Sequence, residues 1–529
     1  MSNNNLNKIK YYLRRYGFFE TMKKVLKRLL HIKENRKSNL EQYKIWIDKF
    51  EPKEEKLKKQ KTIKFKNEPK ISIVTPMYNT DEIFFKELVE SLKSQTYSNW
   101  ELCLADGSLN QNINFQDFIA GDERIKYKYL NGNLGISENT NEAIKMSTGD
   151  YIGFLDHDDL LSPDCLFEVV NVINKNSEVQ FIYTDEDKID EEGVRFEPYF
   201  KPDFSPYALE CNNYITHFVV VKRELLEKVG NLDERFNGAQ DFDFVLRCTE
   251  KTKKIVHISK ILYHWRVSKL STANVADSKL YAYEAGIRVI EEHLRRLDKK
   301  GKVEYGQDVP GIYKIKYDVI GEPKVSILIP NKDNTKLLKN CIESITHLTT
   351  YKNYEIVIIE NNSKNNDTFE YYQLLVKNKK IKILNYNKNT SLDFNGVNRV
   401  KYPRTSNEEE FNYSALINFG VRNVDSDYIL QLNNDTMLLT KDWLQLFIGY
   451  AQNHDVGVVG ARLYYKDKSI QHAGIIVGLS GIAGNSLVNL PYGKHAYFGR
   501  ESALREVSAV TGACLLSRKS LYEDVRIYG

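Results

Sequence analysis

The 529-residue chain lacks the features that mark disulfide-rich, zinc-finger and membrane-spanning proteins. Its six cysteines are scattered, and none forms the C-x-x-C pair of a zinc or redox site. No stretch approaches the roughly 20 consecutive apolar residues that a membrane-spanning helix needs. The first residues contain no apolar core of the kind found in signal peptides. The sequence therefore predicts reduced thiols and a cytoplasmic protein.

Positive charge is concentrated at the start of the chain. Residues 1–70 hold 21 lysine and arginine residues against 8 acidic ones, although the net charge of the whole chain is only +5. Between Leu6 and Leu30, apolar residues recur at helical spacing and basic residues fill much of the other face. This pattern predicts a basic amphipathic helix, either on an anionic membrane surface or packed on the protein with its basic face in water. A second helical pattern covers Leu40–Phe50, and a charged linker follows it.

From residue 71 onward, short apolar runs alternate with helical patterns. Ile71–Pro76 and Trp100–Ala105 are typical of strands, and the segment Asp81–Lys93 between them is typical of a helix. Such alternation predicts a mostly parallel sheet with flanking helices, as in Rossmann-like α/β domains.

The same pattern restarts at Val325, which indicates duplication of a whole domain. Four segments repeat: Val325–Pro330 matches Ile71–Pro76, Tyr354–Glu360 matches the strand at Trp100, Asp427–Asp435 matches Asp150–Asp158, and Gly512–Leu521 matches His217–Leu226. We therefore predict a basic helical extension and linker (1–70), a first α/β domain (71–275), a helical connector (276–324) and a second α/β domain (325–529).

The motif Asp156-His157-Asp158-Asp159 follows an apolar strand and brings three carboxylates to one place. Carboxylates so crowded repel one another unless a cation lies among them. Oxygen ligands suit Mg²⁺ or Mn²⁺, and Mg²⁺ commonly binds a few carboxylates together with substrate phosphates. The motif predicts a divalent cation and a phosphorylated substrate; the alternative is an acidic loop that faces water.

Other polar residues also follow strands, where ligands of open α/β sheets bind. Some have a structural alternative: Asp106 could cap a turn, Asp185–Lys188 could be a solvated hairpin end, Asp243 could pair with a cation, and His264 could be a core histidine.

With these motifs in place, the chain resembles family 2 glycosyltransferases of the GT-A fold. It is similar in particular to two-domain bacterial enzymes of capsule or O-antigen synthesis, of the rhamnosyl- or galactosyltransferase type. The resemblance is carried by S-I-V-T-P-M-Y-N (72–79), A-D-G-S (105–108), D-H-D-D (156–159), Y-T-D-E-D-K (183–188), K-P-D-F-S-P (201–206), A-Q-D-F-D (239–243) and Y-H-W-R (263–266). The second copy adds Q-H-A-G (471–474), Y-F-G-R (497–500) and V-T-G-A-C (510–514).

The resemblance implies an inverting enzyme that uses a divalent cation, Mg²⁺ or Mn²⁺, and a UDP- or dTDP-sugar. It implies nucleotide-sugar binding by Thr75, Pro76, Tyr78, Asn79, Asp106, Asn133, Gly135, Asn141, Asp156 and His157; metal binding by Asp156, Asp158 and His264; a catalytic base at Asp241; and acceptor or secondary contacts by Asp185, Glu186, Asp187, Gln240, Trp265 and Arg266. One departure is that many relatives have two aspartates before Gly-Ser, whereas this chain has Ala105-Asp106. Base selectivity is therefore not set by the motif.

The chemistry of sugar transfer requires the same kinds of group. A leaving nucleoside diphosphate needs a divalent ion, and the acceptor hydroxyl needs a general base. The second copy keeps only Asn433 and Asp435 as a remnant of the acidic motif, and it lacks a counterpart of Asp241. We therefore predict an incomplete second domain, either truncated or degenerate and used for binding or packing, in which an active site would need a base from elsewhere.

The expected acceptor is a growing, lipid-linked surface glycan at the inner face of the cell membrane, with possible peripheral contact through residues 6–30 and with no nucleic acid. Two alternatives stay open. One is a scaffold of decayed domains that binds glycans or nucleotides without catalysis, and the other is a nucleotidyltransferase that releases pyrophosphate.

Overall fold

The structure is a computed structural model that describes residues 39–109, 118–119, 121–267, 276–306, 311–386, 412–479 and 481–525. The predicted helix between Leu6 and Leu30 lies outside these residues. The second predicted helix is present at 39–50. Within the described ranges, every helix is too short or too polar to span a lipid bilayer.

The chain divides into two compact units. The first unit contains the described residues up to Leu209 together with Asn213–Val289, and the second contains Glu210–Asn212 together with the described residues from Ile290 onward. Each unit has its own large sheet, so the predicted α/β class and the presence of a second sheet domain are confirmed.

A nine-stranded sheet organises the first unit, with strand order β3-β2-β1-β4-β8-β6-β9-β5 and with β7 paired to β6. The strands are β1 (Ile71–Met77), β2 (Trp100–Asp106), β3 (Ile125–Tyr129), β4 (Tyr151–Phe154), β5 (Leu160–Leu161), β6 (Phe181–Ile189), β7 (Arg195–Tyr199), β8 (Val219–Lys222) and β9 (Ile255–Arg266). Strands β3, β2, β1 and β4 run parallel, and β8 is antiparallel to both of its neighbours.

Every residue of β1 and β2 is buried, as expected for strands covered on both faces. The helix Glu82–Lys93 packs one apolar face on this core, and Asp81 caps its start by accepting hydrogen bonds from the backbone N–H groups of Ile83 and Phe84. The remaining helices are Glu54–Gln60, Ile136–Met146, Cys165–Lys175, Pro206–Cys211, Arg223–Val229, Gln240–Lys251, Ala276–Arg296, Thr335–Leu348, Asn366–Leu375, Tyr413–Arg422, Trp443–Ala451 and Lys519–Asp524.

A six-stranded sheet organises the second unit, in the order β14-β13-β12-β15-β21-β16. Its strands are β12 (Val325–Asn331), β13 (Tyr354–Glu360), β14 (Ile381–Asn385), β15 (Tyr428–Leu432), β16 (Val458–Gly460) and β21 (Cys514–Arg518). Three two-stranded sheets accompany it: β10 (Gly301–Tyr305) with β11 (Tyr313–Tyr317), β17 (Leu463–Tyr464) with β18 (Ile470–His472), and β19 (Ile475–Val477) with β20 (Ala483–Asn485). The hairpin of β10 and β11 falls in the segment predicted as a helical connector, where the sequence pattern showed only the helix.

The two large sheets share one topology. In each sheet a central strand, β1 or β12, has a parallel neighbour on either side. The strand that follows β4 or β15 in the strand order, β8 or β21, runs antiparallel to it. The ladders pair Tyr151 with Lys222 and Tyr428 with Arg518. Arg518 therefore corresponds to Lys222 in space, whereas the sequence repeat aligned Lys222 with Ser517. The sequence alignment of this segment was wrong by one residue, because matching residue types did not fix the register of the ladder.

Candidate active site

The carboxyl ends of β1 and β2 lie side by side, with Met77 paired to Asp106. Asp106 is fully buried, and its two carboxylate oxygens accept hydrogen bonds from the Ser108 backbone N–H at 2.9 Å and the Tyr127 hydroxyl at 2.7 Å. The Ser108 hydroxyl in turn accepts from the Asn79 backbone N–H at 2.8 Å. Asp106 therefore shapes the turn after β2, as its capping alternative proposed, and its role in binding the nucleotide stays a prediction.

The end of β1 carries the other predicted nucleotide-binding residues. Thr75 and Pro76 are buried in the strand, and Tyr78 is exposed just beyond it. Among the described residues, the buried hydroxyl oxygen of Thr75 has no hydrogen-bond partner. The same is true of the buried Nδ1 atom of His157 within the described structure. These two atoms are candidates for contact with a bound molecule.

The loop before the helix Ile136–Met146 is held by Asn133, whose side-chain oxygen accepts from the Gly135 backbone N–H at 2.9 Å. Gly135 has a φ of 93°, a conformation that favours glycine. Asn141 lies further along the helix, and its side-chain amide exchanges two hydrogen bonds of 3.0 Å with the backbone of Leu232. Asn133 and Gly135 therefore shape a loop at this edge, while Asn141 ties the helix to a second loop.

Three metal-ligating side chains meet after β4. Ligand atoms of Asp156, Asp159 and His217 all lie within 4.8 Å of one another. The Asp156 side chain is 50% exposed, and its carboxylate lies 3.8 Å from Nε2 of His217. Asp159 is buried. The cluster includes neither Asp158 nor His264, so the ligand roles predicted for those two residues stay predictions.

Asp159 is fixed by strand β9. Its carboxylate accepts from the Arg266 backbone N–H at 2.7 Å and from the Tyr263 hydroxyl. The Arg266 guanidinium donates to the backbone oxygen of Asp158 at 2.7 Å and also pairs with Glu87. Arg266 therefore positions the acidic turn, and its predicted acceptor or secondary contact stays a prediction.

The pKa values of all three side chains in the cluster are raised, because charged groups lie close together and are partly removed from water. Desolvation raises the pKa of Asp159 well above its usual range, and the neighbouring charges of Asp158 and Asp156 raise it further. Desolvation also raises the pKa of Asp156, against an opposing effect of His217. Burial alone would lower the pKa of His217, but Glu186, Asp156 and Asp159 outweigh it and raise the pKa to about 9. Because the carboxylates destabilise one another, this donor set fits a bound cation.

Glu186 holds His217 in place through its backbone N–H and the Nδ1 atom of its ring. It accepts hydrogen bonds from the Thr216 hydroxyl at 2.7 Å and the His217 backbone N–H at 3.2 Å, and it lies 3.3 Å from Nδ1 of the His217 ring. The buried ammonium of Lys201 pairs with Glu186 at 2.8 Å. Desolvation would raise the pKa of Glu186, but Lys201 and His217 lower it to about 2. The His217 ring also stacks on Tyr263, with ring centres 4.7 Å apart.

The neighbours of Glu186 in β6 are equally buried, so the alternative of a solvated hairpin end is wrong. Asp185 accepts from the Lys201 backbone N–H at 2.7 Å and lies 2.9 Å from Nε2 of His257. Asp187 lies 2.6 Å from Nδ1 of His264. Asp187 also accepts from Arg195 and from the hydroxyl of Tyr43 in the helix 39–50, each at 2.5 Å. These acidic residues form internal networks that support the cluster.

Asp241 lies in the first turn of the helix Gln240–Lys251 and is exposed. Its carboxylate accepts from the side-chain amide of Asn213 at 2.8 Å. Desolvation raises its pKa, and the positive charge of His217 opposes that effect. The charge of Asp241 is also a minor cause of the raised pKa of Asp156. Gln240 caps the preceding turn by accepting from the backbone N–H of Gly238 at 2.8 Å.

Other predicted residues have structural partners. Asp243 is buried and pairs with Arg247 at 2.7 Å, which confirms its cation-pairing alternative. Trp265 is partly buried, and the Lys188 ammonium lies 5.5 Å from the centre of its ring. Asn433 and Asp435 follow β15 at the corresponding edge of the second unit. His217 was missed by sequence reasoning; a histidine directly before a repeated strand was the available signal.

Comparison with known proteins gives consistent matches. The model of the family described as "Glycosyl transferase family 2" matches residues 72–230 and 326–393. The chain is similar to an uncharacterized protein, y4gI, of Sinorhizobium fredii, with 38% identity over 87% of this chain and 49% of the relative. It is also similar to the O-antigen biosynthesis protein RfbC of Myxococcus xanthus, with 33% identity over 92% of this chain and 37% of the relative. The chain thus spans half or less of the length of these two relatives.

Two solved structures match part of the chain at low similarity. S. aureus TarS 1–349 in complex with UDP-GlcNAc matches with a TM-score of 0.36 and 20% identity over 42% of this chain and 66% of that one. The mannosyltransferase PcManGT from Pyrobaculum calidifontis, in complex with GDP-Man and Mn²⁺, matches with a TM-score of 0.35 and 14% identity over 45% of this chain and 70% of that one.

Proposed function

This chain belongs to glycosyl transferase family 2, and on that premise we propose that its first unit transfers a sugar from a nucleoside-diphosphate sugar to a growing surface polysaccharide. The observation that supports this proposal most is a cluster of metal-ligating side chains together with a carboxylate that can act as a base. The cluster of Asp156, Asp159 and His217 suits a divalent cation, and Asp241 offers an exposed carboxylate that interacts electrostatically with Asp156 and His217.

Asp156 offers the accessible carboxylate for Mg²⁺ or Mn²⁺, because both oxygens of Asp159 already accept hydrogen bonds. His217 would coordinate the cation only as a neutral imidazole, since the protonated ring has no free lone pair. Asp158 follows in the same turn and is a further candidate. When bound, such a cation stabilises the negative charge of a departing diphosphate. The chain itself holds these side chains in place. Arg266 donates to the backbone oxygen of Asp158 in the acidic turn, and Glu186 contacts the ring of His217.

Asp241 is the proposed general base. Its exposed carboxylate can accept the proton of an acceptor hydroxyl as the new glycosidic bond forms. Its raised pKa makes it a better proton acceptor, while Asn213 fixes its orientation. A hydroxyl activated by a single carboxylate attacks the sugar from the side opposite the leaving diphosphate. The proposed reaction therefore inverts the configuration of the anomeric carbon.

The test is sugar transfer by Asp241→Asn, which keeps the size of the side chain and removes its basicity. We expect a loss of about 10²–10⁴ in turnover of a labelled nucleotide-sugar, the usual size of a general-base effect. Glu250→Gln is the matched control, because Glu250 lies near the other end of the same helix. Release of a nucleoside diphosphate, rather than pyrophosphate, separates sugar transfer from nucleotidyl transfer. Turnover by Asp241→Asn near that of the wild type would contradict the assignment.

The acceptor and the membrane contact are part of the same proposal. The similarity to an O-antigen biosynthesis protein supports a lipid-linked surface glycan as the acceptor. The basic residues between Leu6 and Leu30 would then hold the protein at the anionic membrane surface where such an acceptor resides. The shape of the pocket sets the specificity for the donor sugar and its nucleotide. Turnover of a panel of UDP- and dTDP-sugars would identify the donor.

A further inference from the structure

The second unit holds a cavity of about 480 Å³ at the sheet edge that corresponds to the acidic cluster of the first unit. The ends of β12 and β15 and the segment before β21 line it. Its polar lining residues are Asn331, Lys332, Asn361, Tyr413, Asn433, Asn434, Asp435 and Thr511. All of these residues belong to the second unit, so the cavity is complete within it.

This cavity has no counterpart of the three clustered side chains of the first unit, although it keeps Asp435 as the counterpart of Asp158. The shared strand registers place Asn433, Thr436 and Ala513 where the first unit has Asp156, Asp159 and His217. None of the three replacements is a carboxylate or an imidazole. Asp435 is the one acidic residue among those that line the cavity, and Lys332 is the one basic residue. A nucleoside diphosphate here would meet one lysine, and its counter-ion would find a single carboxylate instead of the cluster of the first unit.

The polar groups that remain are neutral amides. Among the described residues, the side-chain amides of Asn361 and Asn433 have no hydrogen-bond partner, whereas the Asn434 side chain donates to that of Asn331 at 2.7 Å. An amide offers both donors and acceptors, which matches a sugar hydroxyl because a hydroxyl also donates and accepts. Neutral amides avoid the desolvation cost that a charged group would carry.

Tyr413 adds an aromatic surface to the cavity. Its hydroxyl donates to the backbone oxygen of Gly512 at 3.1 Å, which fixes the ring at the wall. A fixed aromatic ring beside unpartnered amides gives one apolar contact and several hydrogen bonds, the two kinds of contact that a pyranose ring makes.

We propose that the second unit binds a neutral stretch of carbohydrate in this cavity without a metal ion. All residues of this cavity belong to the second unit, so the proposal does not depend on the activity of the first unit. In the context of sugar transfer, it would hold part of the glycan acceptor.

The experiment is saturation-transfer NMR on the full chain with a panel of neutral mono- and oligosaccharides of rhamnose, galactose and N-acetylglucosamine, in EDTA. We expect at least one sugar to bind. Asn433→Leu should weaken its affinity about two- to tenfold, the cost of one or two hydrogen bonds to hydroxyls. Asn361→Leu is a second variant in case the first fails to fold. Asn366→Leu, an exposed change outside the cavity in the same unit, should leave affinity unchanged.

A second arm uses UDP with Mn²⁺, which should bind the first unit. Asp156→Asn should weaken UDP binding, and Asn433→Leu should leave it unchanged. The proposal is overturned if no sugar in the panel binds at millimolar concentration, if sugar binding disappears in EDTA, or if folded Asn433→Leu and Asn361→Leu both bind sugar like the wild type. Loss of UDP binding in Asn433→Leu would also overturn it, because it would make the cavity a nucleotide site.

Discussion

Lys201→Met tests whether the buried pair of Lys201 and Glu186 supports the candidate site. The Lys201 side chain is fully buried, and its ammonium donates to Glu186 at 2.8 Å, to the Ile215 backbone oxygen at 2.6 Å and to the backbone oxygen of His217. Methionine keeps a similar unbranched shape but leaves the Glu186 carboxylate buried without its cation.

The expected cost follows from these contacts. Removing one partner of a buried ion pair costs about 3–5 kcal/mol. Burial lowers the pKa of Lys201 despite the attraction of Glu186, so removing the ammonium also relieves a desolvation cost. We therefore expect the lower end, about 3 kcal/mol. For a unit of this size, that corresponds to a fall of about 6–12 °C in Tm.

The penalty should depend on pH. In the wild type, the pKa of Glu186 is lowered from 4.5 to about 2, so its stabilising effect is present above 4.5 and is lost as the pH falls towards 2. Without Lys201, the buried carboxyl can instead take up a proton as the pH falls below neutral. The difference in stability between wild type and variant should therefore be largest near pH 7 and smaller near pH 4.

Denaturant titration followed by tryptophan fluorescence measures this difference. Trp46, Trp100 and Trp265 lie in the first unit and Trp443 in the second, so the signal reports mainly on the first. The double variant Lys201→Met/Glu186→Gln should recover part of the loss, because it removes the uncompensated charge.

Lys254→Met is the control for the lysine substitution. It breaks only a half-exposed pair with Glu178 and should cost less than about 1 kcal/mol. A cost below about 1 kcal/mol for Lys201→Met, or a cost that does not change with pH, would refute the reasoning.

Two further predictions concern the backbone and the N-terminal segment. Gly149→Ala should destabilise the first unit by about 1–3 kcal/mol, since a Cβ atom there would lie 2.5 Å from the Lys70 backbone oxygen. Gly457→Ala, where the described structure places no atom within 4 Å, should leave the stability of its own unit, the second, unchanged. An equal loss of stability in the two variants, measured by denaturant titration, would refute this. Deleting residues 6–30 should move the protein from the membrane fraction to the soluble fraction, whereas Lys→Arg exchanges in that segment should not, because they keep the charge. An unchanged distribution after the deletion would exclude that segment as the membrane contact.

Local patterns predicted the regular elements well. The strand predicted at Ile71–Pro76 extends to Met77, and the helix predicted from Asp81 begins one residue later because Asp81 is its cap. Apolar periodicity and capping act over a few residues, so one sequence contains them. The acidic turn after β4 was predictable for the same reason.

Long-range contacts were less accessible. His217 reaches Asp156 only because β8 lies antiparallel to β4, a pairing that no local pattern encodes. Asp185–Asp187 looked like a polar turn because their cationic and histidine partners come from distant segments. Tertiary pairing overrode the local preference for exposed charge at these positions.

The most direct test of the account compares one aspartate substitution in the matching turn of each unit. Nucleotide-sugar turnover with Mn²⁺ is measured for wild type, for Asp156→Asn in the first unit and for Asp435→Asn in the second. The account predicts that Asp156→Asn lowers nucleoside diphosphate release by about 10²–10³-fold, the usual cost of losing one contact to a developing charge. It predicts that Asp435→Asn leaves the release unchanged. Turnover that survives Asp156→Asn and disappears in Asp435→Asn would contradict the central claim that the first unit carries the active site.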